Sequence, residues 1–140
     1  MKILLAVDGS PYTKKMLAYL ATHMEMFSGE NEFTLLTVQG PLPPRARAAA
    51  GKEAVEAYYA EESMKVLEPS IKFMARHGLD ADSVCKVGSV GETIAKTADS
   101  GKFDLVIMGS HGHGALSNLV MGSVATKVLA QCKTPVLLVR

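Results

Sequence analysis

The sequence predicts an α/β domain: an open parallel five-stranded sheet with helices on both faces, Rossmann-like. Three observations predict it. Five short apolar runs recur along the chain, helical periodicity fills the stretches between them, and glycine or proline marks most of the changes from one to the other. Runs that are apolar at nearly every position suit strands covered on both sides, as a parallel sheet requires. The 140 residues suit one domain spanning 1–140. With 48% apolar and 21% charged residues, disorder and collagen are excluded.

The elements follow in order. Residues 3–7 form the first strand, and Asp8 and Gly9 turn the chain into a helix with Ser10 as its N-cap and Pro11 as its first residue. Met16, Leu17, Leu20, Ala21, Met24 and Phe27 give that helix its inner face, and residues 28–31 close it. Residues 33–38 are the second strand. Gly40, Pro41, Pro43 and Pro44 then predict a loop. From about Glu53 a long helix turns Ala57, Ala60, Met64, Leu67, Ile71 and Met74 inward. Pro69 should kink it and Gly78 should end it.

Residues 83–87 are a weak third strand. Ser89 and Glu92 have the spacing of a capping box opening a helix with Ile94, Ala95 and Ala98 inward. Residues 104–108 are the fourth strand, and a glycine-rich loop occupies 109–122. The last helix carries Val124, Val128 and Leu129 inward, and residues 135–139 form the fifth strand.

Composition narrows the function. Fifteen Lys and Arg against fourteen Asp and Glu give a net charge of +1, too balanced for binding nucleic acid or an acidic membrane through bulk charge. No apolar run is long enough for a signal-peptide core or a membrane span. Cys85 and Cys132 match no metal or redox spacing and read as reduced thiols of a cytoplasmic protein.

Ligands of open α/β sheets bind beyond the carboxyl ends of the strands, where the strand order reverses. The loop after the fourth strand holds Gly109, Gly112 and Gly114, which let main-chain N–H groups approach an anion. Gly122 and Ser123 stand at the start of the last helix, where free N–H groups and the helix dipole favour phosphate. No Gly-Lys-Ser/Thr occurs there, which speaks against a P-loop NTPase. The first loop has Asp8 where a dinucleotide fingerprint needs glycine.

The spacing Gly109-x2-Gly112-x9-Gly122-Ser123 resembles the G-x2-G-x9-G-[S/T] motif of the ATP-binding branch of the universal stress proteins. Its setting between residues 104–108 and the last helix, the opening residues 3–10 and the closing residues 135–139 resemble that family over essentially the whole chain. The resemblance implies ATP or AMP as ligand, with Gly109, Gly112, Gly122 and Ser123 on phosphates and ribose. Asp8 would reach the nucleotide or a Mg ion on its phosphates, and Val38 would offer main-chain groups to adenine. Met108 and Val124 would flank the ligand, and Ala6, Val7, Ser10, His111 and His113 complete the implied nucleotide site. The resemblance also implies the sheet order 3-2-1-4-5 and a homodimer through the last strand. Many relatives carry arginine at the position of His113, so here no guanidinium supplies a fixed charge to the phosphates.

Blander roles stand beside these. Asp8 also reads as a cap on the turn into the first helix. His111 and His113 lack a third metal ligand in sequence, and adjacent Ser110 and His111 are not expected to orient as nucleophile and base. Arg45, Arg47 and Lys52 read as a solvated loop rather than a lid, and Met16, Met24, Met64 and Met74 as core filling. The expectation is a nucleotide-binding, homodimeric stress-response regulator with at most slow ATP hydrolysis. The alternatives are a small-substrate hydrolase or nucleotidyl transferase working through Asp8, Ser110 and His111, or a dimeric interaction module with a vestigial pocket.

Overall fold

Strict alternation along the central strands sets the layering. In the computed structural model, which describes residues 1–27, 30–114 and 120–140, β1 (Lys2–Ala6) sends Ile3 and Leu5 to one face and Leu4 and Ala6 to the other. Ile3, Leu4 and Leu5 are all fully buried, which explains the uninterrupted apolar run. Leu5→Ala would leave a cavity in the centre of the sheet and cost roughly 2–5 kcal/mol.

β1 is followed by α1 (Pro11–Thr22), a 3-10 turn at Met24–Phe27, and β2 (Glu32–Gln39). Next come α2 (Pro44–Ala50), α3 (Lys52–Arg76), β3 (Ala81–Val87), α4 (Val90–Ser100), β4 (Leu105–Gly109), α5 (Ser123–Gln131) and β5 (Val136–Val139). The sheet is parallel throughout, in the order β3-β2-β1-β4-β5. Leu5 pairs with Leu35 on one side and Ile107 on the other. One core lies between the sheet and α1 with α3, built on Met16, Leu20, Leu35, Leu67 and Met74; the other lies under α4 and α5, built on Leu36, Ile94, Val106 and Val128. No described helix is long and apolar enough to cross a membrane.

Several expectations are corrected. The expected loop from Gly40 contains α2. Pro44 stands at its first position, where a missing N–H costs nothing, and the alanines after Arg47 favour helix. Arg45 and Arg47 therefore ride on an exposed helix, while Lys52 opens α3. Of the expected stripe on α3, Leu67 and Met74 are buried and Ile71 packs against the core, but Ala57, Ala60 and Met64 face solvent, and Val55, Ser63 and Ser70 complete the buried face. Alanine is a poor guide to the phase of a helix because it costs little on either face. Leu129 of α5 is likewise exposed, with Ala125 taking the inner position.

Chain ends of helices behave less simply than their caps suggest. Ser10 and Ser89 occupy the N-cap positions of α1 and α4, yet neither side chain makes a cap hydrogen bond. α3 keeps its helical backbone through Pro69 and ends at a Schellman motif: Leu79 N–H donates to Met74 O (2.9 Å) and Gly78 N–H to Ala75 O (3.0 Å), with Gly78 at φ +71°.

Beyond α5, the Asp99 carboxylate of α4 accepts from Lys133 N–H (3.1 Å), Thr134 N–H (3.1 Å) and the Thr134 hydroxyl (2.9 Å). The Lys133 amide first, then the Thr134 hydroxyl, hold the Asp99 carboxyl below the usual carboxylate range. Burial pushes the neighbouring Cys132 thiol up.

Candidate functional site

β1 and β4 end side by side, with Ala6 paired to Met108, so the loops after them open on the same edge of the sheet. In the first loop Asp8 Oδ1 accepts from Ser10 N–H and from the Thr13 hydroxyl, both at 2.9 Å, while Thr13 Oγ1 accepts from Asp8 N–H at 3.0 Å. Asp8 is thus the cap of this turn, in place of Ser10, whose own hydroxyl is buried without a partner among the described residues. The other oxygen points elsewhere. A Cβ on Gly112 would lie 2.6 Å from Asp8 Oδ2, so any side chain here would have to displace that carboxylate or the loop. His113 Nε2 then donates to the Asp8 carbonyl at 2.7 Å and joins the two loops.

The far end of the second loop is anchored from below. Ser110 N–H donates to Val139 O (2.8 Å), and Gly122 N–H donates to Ser110 O (2.7 Å). A Cβ on Gly122 would meet Ser110 O and His111 Cα at 3.1 Å. The Gly122 amide is therefore already committed, contrary to the expectation that it would be free for an anion. The three amides after it, those of Ser123, Val124 and Ala125, have no acceptor among the described residues, as the first turn of a helix dictates.

Between these loops lies a cavity of about 540 Å³. Ala6, Val7, Asp8, Val38, Met108, Gly109, His111, Gly112, His113, Gly122, Ser123 and Val124 all line it; fully buried Ser10 does not. Positions 115–119 of the loop lie outside the described residues, as do 28 and 29 at the close of the first helical stretch. Asp8 is the sole acidic residue among the described residues lining the cavity, and no lysine or arginine lines it, Arg45, Arg47 and Lys52 included. The main-chain dipoles at the start of α5 are the feature of its lining that suits an anion.

Ser110 and His111 do pair, against expectation, with Oγ and Nδ1 2.8 Å apart. Ser110 is nonetheless buried and outside the cavity lining. No group of three metal-ligating side chains occurs among the described residues.

Sequence reasoning missed Thr13, Leu36, Thr37, Gln39, Val66, Val90, Ile94 and Ala125, which also line the cavity. The period-2 pattern of β2 could have found Thr37 and Gln39 once the strand end was placed. Val66, Val90 and Ile94 arrive from helices, and no local pattern announces them.

The profile of the Universal stress protein family matches residues 1–140. This chain belongs to that family. It is 33% identical over 141 residues to the "Universal stress protein in QAH/OAS sulfhydrylase 3'region" of Thermus aquaticus, covering 99% of this chain and 97% of the relative. The solved structure of the hypothetical protein MJ0577 of Methanocaldococcus jannaschii superposes with a TM-score of 0.81 at 27% identity, covering 99% of this chain and 94% of that one. A universal stress protein family protein from Arabidopsis thaliana, solved with AMP bound, shares the fold at a TM-score of 0.69 and 16% identity, covering 99% of this chain and 90% of that one. The predicted sheet order, β3-β2-β1-β4-β5, is the observed one, and so is the universal stress α/β architecture.

Proposed function

We propose that this universal stress protein binds an adenine nucleotide, ATP or AMP, in the cavity between the loops after β1 and β4, and acts as a regulator rather than a rapid catalyst. One observation carries the proposal: the amides of Ser123, Val124 and Ala125, without an acceptor among the described residues, open on a cavity of nucleotide size beside Asp8. The AMP bound to the Arabidopsis protein of the same fold supports the choice of ligand.

A phosphate at the start of α5 would receive main-chain hydrogen bonds and the Ser123 hydroxyl. The Asp8 carboxylate would accept from ribose hydroxyls through Oδ2, since Oδ1 already holds two donors. Apolar Val38, Met108 and Val124 would flank base and sugar. Magnesium fits only as a companion of the phosphates, because one carboxylate with one uncommitted oxygen is too little for a dedicated protein site.

The same observations weigh on the rival readings. A serine hydrolase would need Ser110, which is buried away from the cavity. A vestigial pocket would be filled by its own side chains, and this one is open. The free edge at β5 supports a homodimer through that strand, and the free thiols Cys85 and Cys132 agree with a cytoplasmic setting. Calorimetry with ATP, ADP and AMP, with and without magnesium, tests the reading. Saturable binding of at least one is expected, and absence of heat and of any thermal shift with all three would overturn it.

A further inference from the structure

The sheet ends on two edges, β3 and β5. β3 is the longer, with seven residues against four, and reads Ala-Asp-Ser-Val-Cys-Lys-Val. Asp82, Ser83, Cys85, Lys86 and Val87 are all exposed along it.

The register with β2 tells which main-chain groups face outward. Gln39 stands opposite Val87, and its carbonyl accepts from Gly88 N–H at 2.9 Å. In a parallel ladder the residues on either side of the opposed one supply the hydrogen bonds. The even-numbered residues of β3 therefore turn their N–H and C=O groups to β2, and Ala81, Ser83, Cys85 and Val87 turn theirs outward. Those outward groups have no main-chain partner among the described residues. An open edge of this length is a template for another strand.

The side chains along the edge select that strand. Two copies of one strand related by a twofold axis pair antiparallel about a central residue. Centred on Val84, the pairing opposes Ser83 to Cys85 of the second copy and Ala81 to its Val87. All four carry outward main-chain groups, so each opposed pair exchanges N–H···O bonds in both directions. The same register opposes Asp82 to Lys86 of the second copy in a non-hydrogen-bonded pair. There the Cα atoms lie about 4.5 Å apart and side chains meet most closely. By symmetry the ion pair forms at both ends of the contact.

The two charges are available for this. Asp82 belongs to none of the ion pairs among the described residues, and Lys86 donates to the Thr97 hydroxyl at 3.0 Å, which leaves its ammonium further donors. Registers centred on Asp82 or on Lys86 would oppose like charges, and those centred on Ser83 or Cys85 would leave the two charges unmatched. We infer that β3 is a contact between two copies of this chain, joined antiparallel about Val84 with Asp82 of each on Lys86 of the other. Because β5 lies at the opposite edge, this contact adds to any association there.

Sedimentation velocity from micromolar to millimolar concentration, at low and high salt, tests this. The wild type should associate more as concentration rises, and salt should weaken that step. Asp82→Lys sets lysine against Lys86 at both ends and should raise the dissociation constant at least about tenfold. Adding Lys86→Asp exchanges the charges and should restore it to within about threefold of the wild type, which a mere loss of stability could not do. Thermal melts check folding. Amide exchange of the unaltered protein gives an independent reading if a variant fails to fold: the Ser83 and Cys85 N–H groups should exchange about tenfold more slowly in concentrated than in dilute solution. Absence of association, association indifferent to Asp82→Lys, or Ser83 and Cys85 amides that exchange equally at both concentrations would each overturn the inference.

Discussion

The two ends of α5 pose the same chemical problem and answer it differently. Past its C-terminal end, the amides of Lys133 and Thr134 find the Asp99 carboxylate, an anion the chain carries itself. At its N-terminal end, the amides of Ser123, Val124 and Ala125 find no acceptor among the described residues and face a cavity. Nothing in the helix forces this difference, since an aspartate or serine capping the first turn would satisfy it. Here glycine stands at the cap, and the nearest carboxylate, Asp8, is turned to its own loop through Oδ1. One end is finished as structure, and on the proposed reading the other is left for a ligand.

Substitutions at the two ends should therefore separate binding from stability. Gly122→Val has the largest expected effect on binding. Its side chain meets Ser110 O and His111 Cα, so the start of α5 must shift and AMP affinity should fall at least about tenfold by calorimetry. Loss of stability without loss of affinity would remove the distinction between the ends.

Asp99→Asn should do the reverse, lowering the melting temperature with AMP affinity intact. The sign of its pH dependence follows from the lowered carboxyl pKa. The charged form is bound more tightly in the folded state, so its contribution is present at neutral pH and is lost as acid titrates the folded carboxyl. Melts between about pH 7 and pH 3 should show a shallower acid decline in the variant than in the wild type. Equal slopes would mean that the carboxylate cradle contributes nothing.

Gly112→Ala sharpens the role of Asp8. The new methyl group would lie 2.6 Å from Oδ2, so the carboxylate or the loop must give way, and AMP affinity should drop several-fold, about 1 kcal/mol. The smallest effect is expected from Ser123→Ala, which removes a hydroxyl and keeps the amide. About a twofold to threefold loss by calorimetry would fit main-chain amides as the principal donors. A loss as large as that of Gly122→Val would transfer the role to the hydroxyl.

The sheet was legible because buried parallel strands leave continuous apolar runs such as residues 3–7, and the weak run at 83–87 became the exposed edge strand β3. The order of the strands came with the family resemblance and not with the pattern. Helix faces were only half legible: Leu67 and Met74 marked the inner stripe of α3, but the alanines at 57 and 60 pointed to solvent and buried Ser63 and Ser70 were not foreseen. At the site, spacing located the glycines and the start of α5. It could not tell that the Gly122 amide is spoken for by Ser110, because that bond depends on how the loop folds back. Thr37 and Gln39 were legible only through the period-2 pattern of β2 and only once the strand end was placed, since a polar residue near a strand end is as common in solvent as beside a ligand.

Amide chemical shifts of the isotope-labelled protein during titration with AMP test the central claim most directly. The account predicts the largest changes at the N–H groups of Ser123, Val124 and Ala125, with those of Lys133 and Thr134 nearly still. Saturable binding that leaves the first turn of α5 unmoved would contradict it.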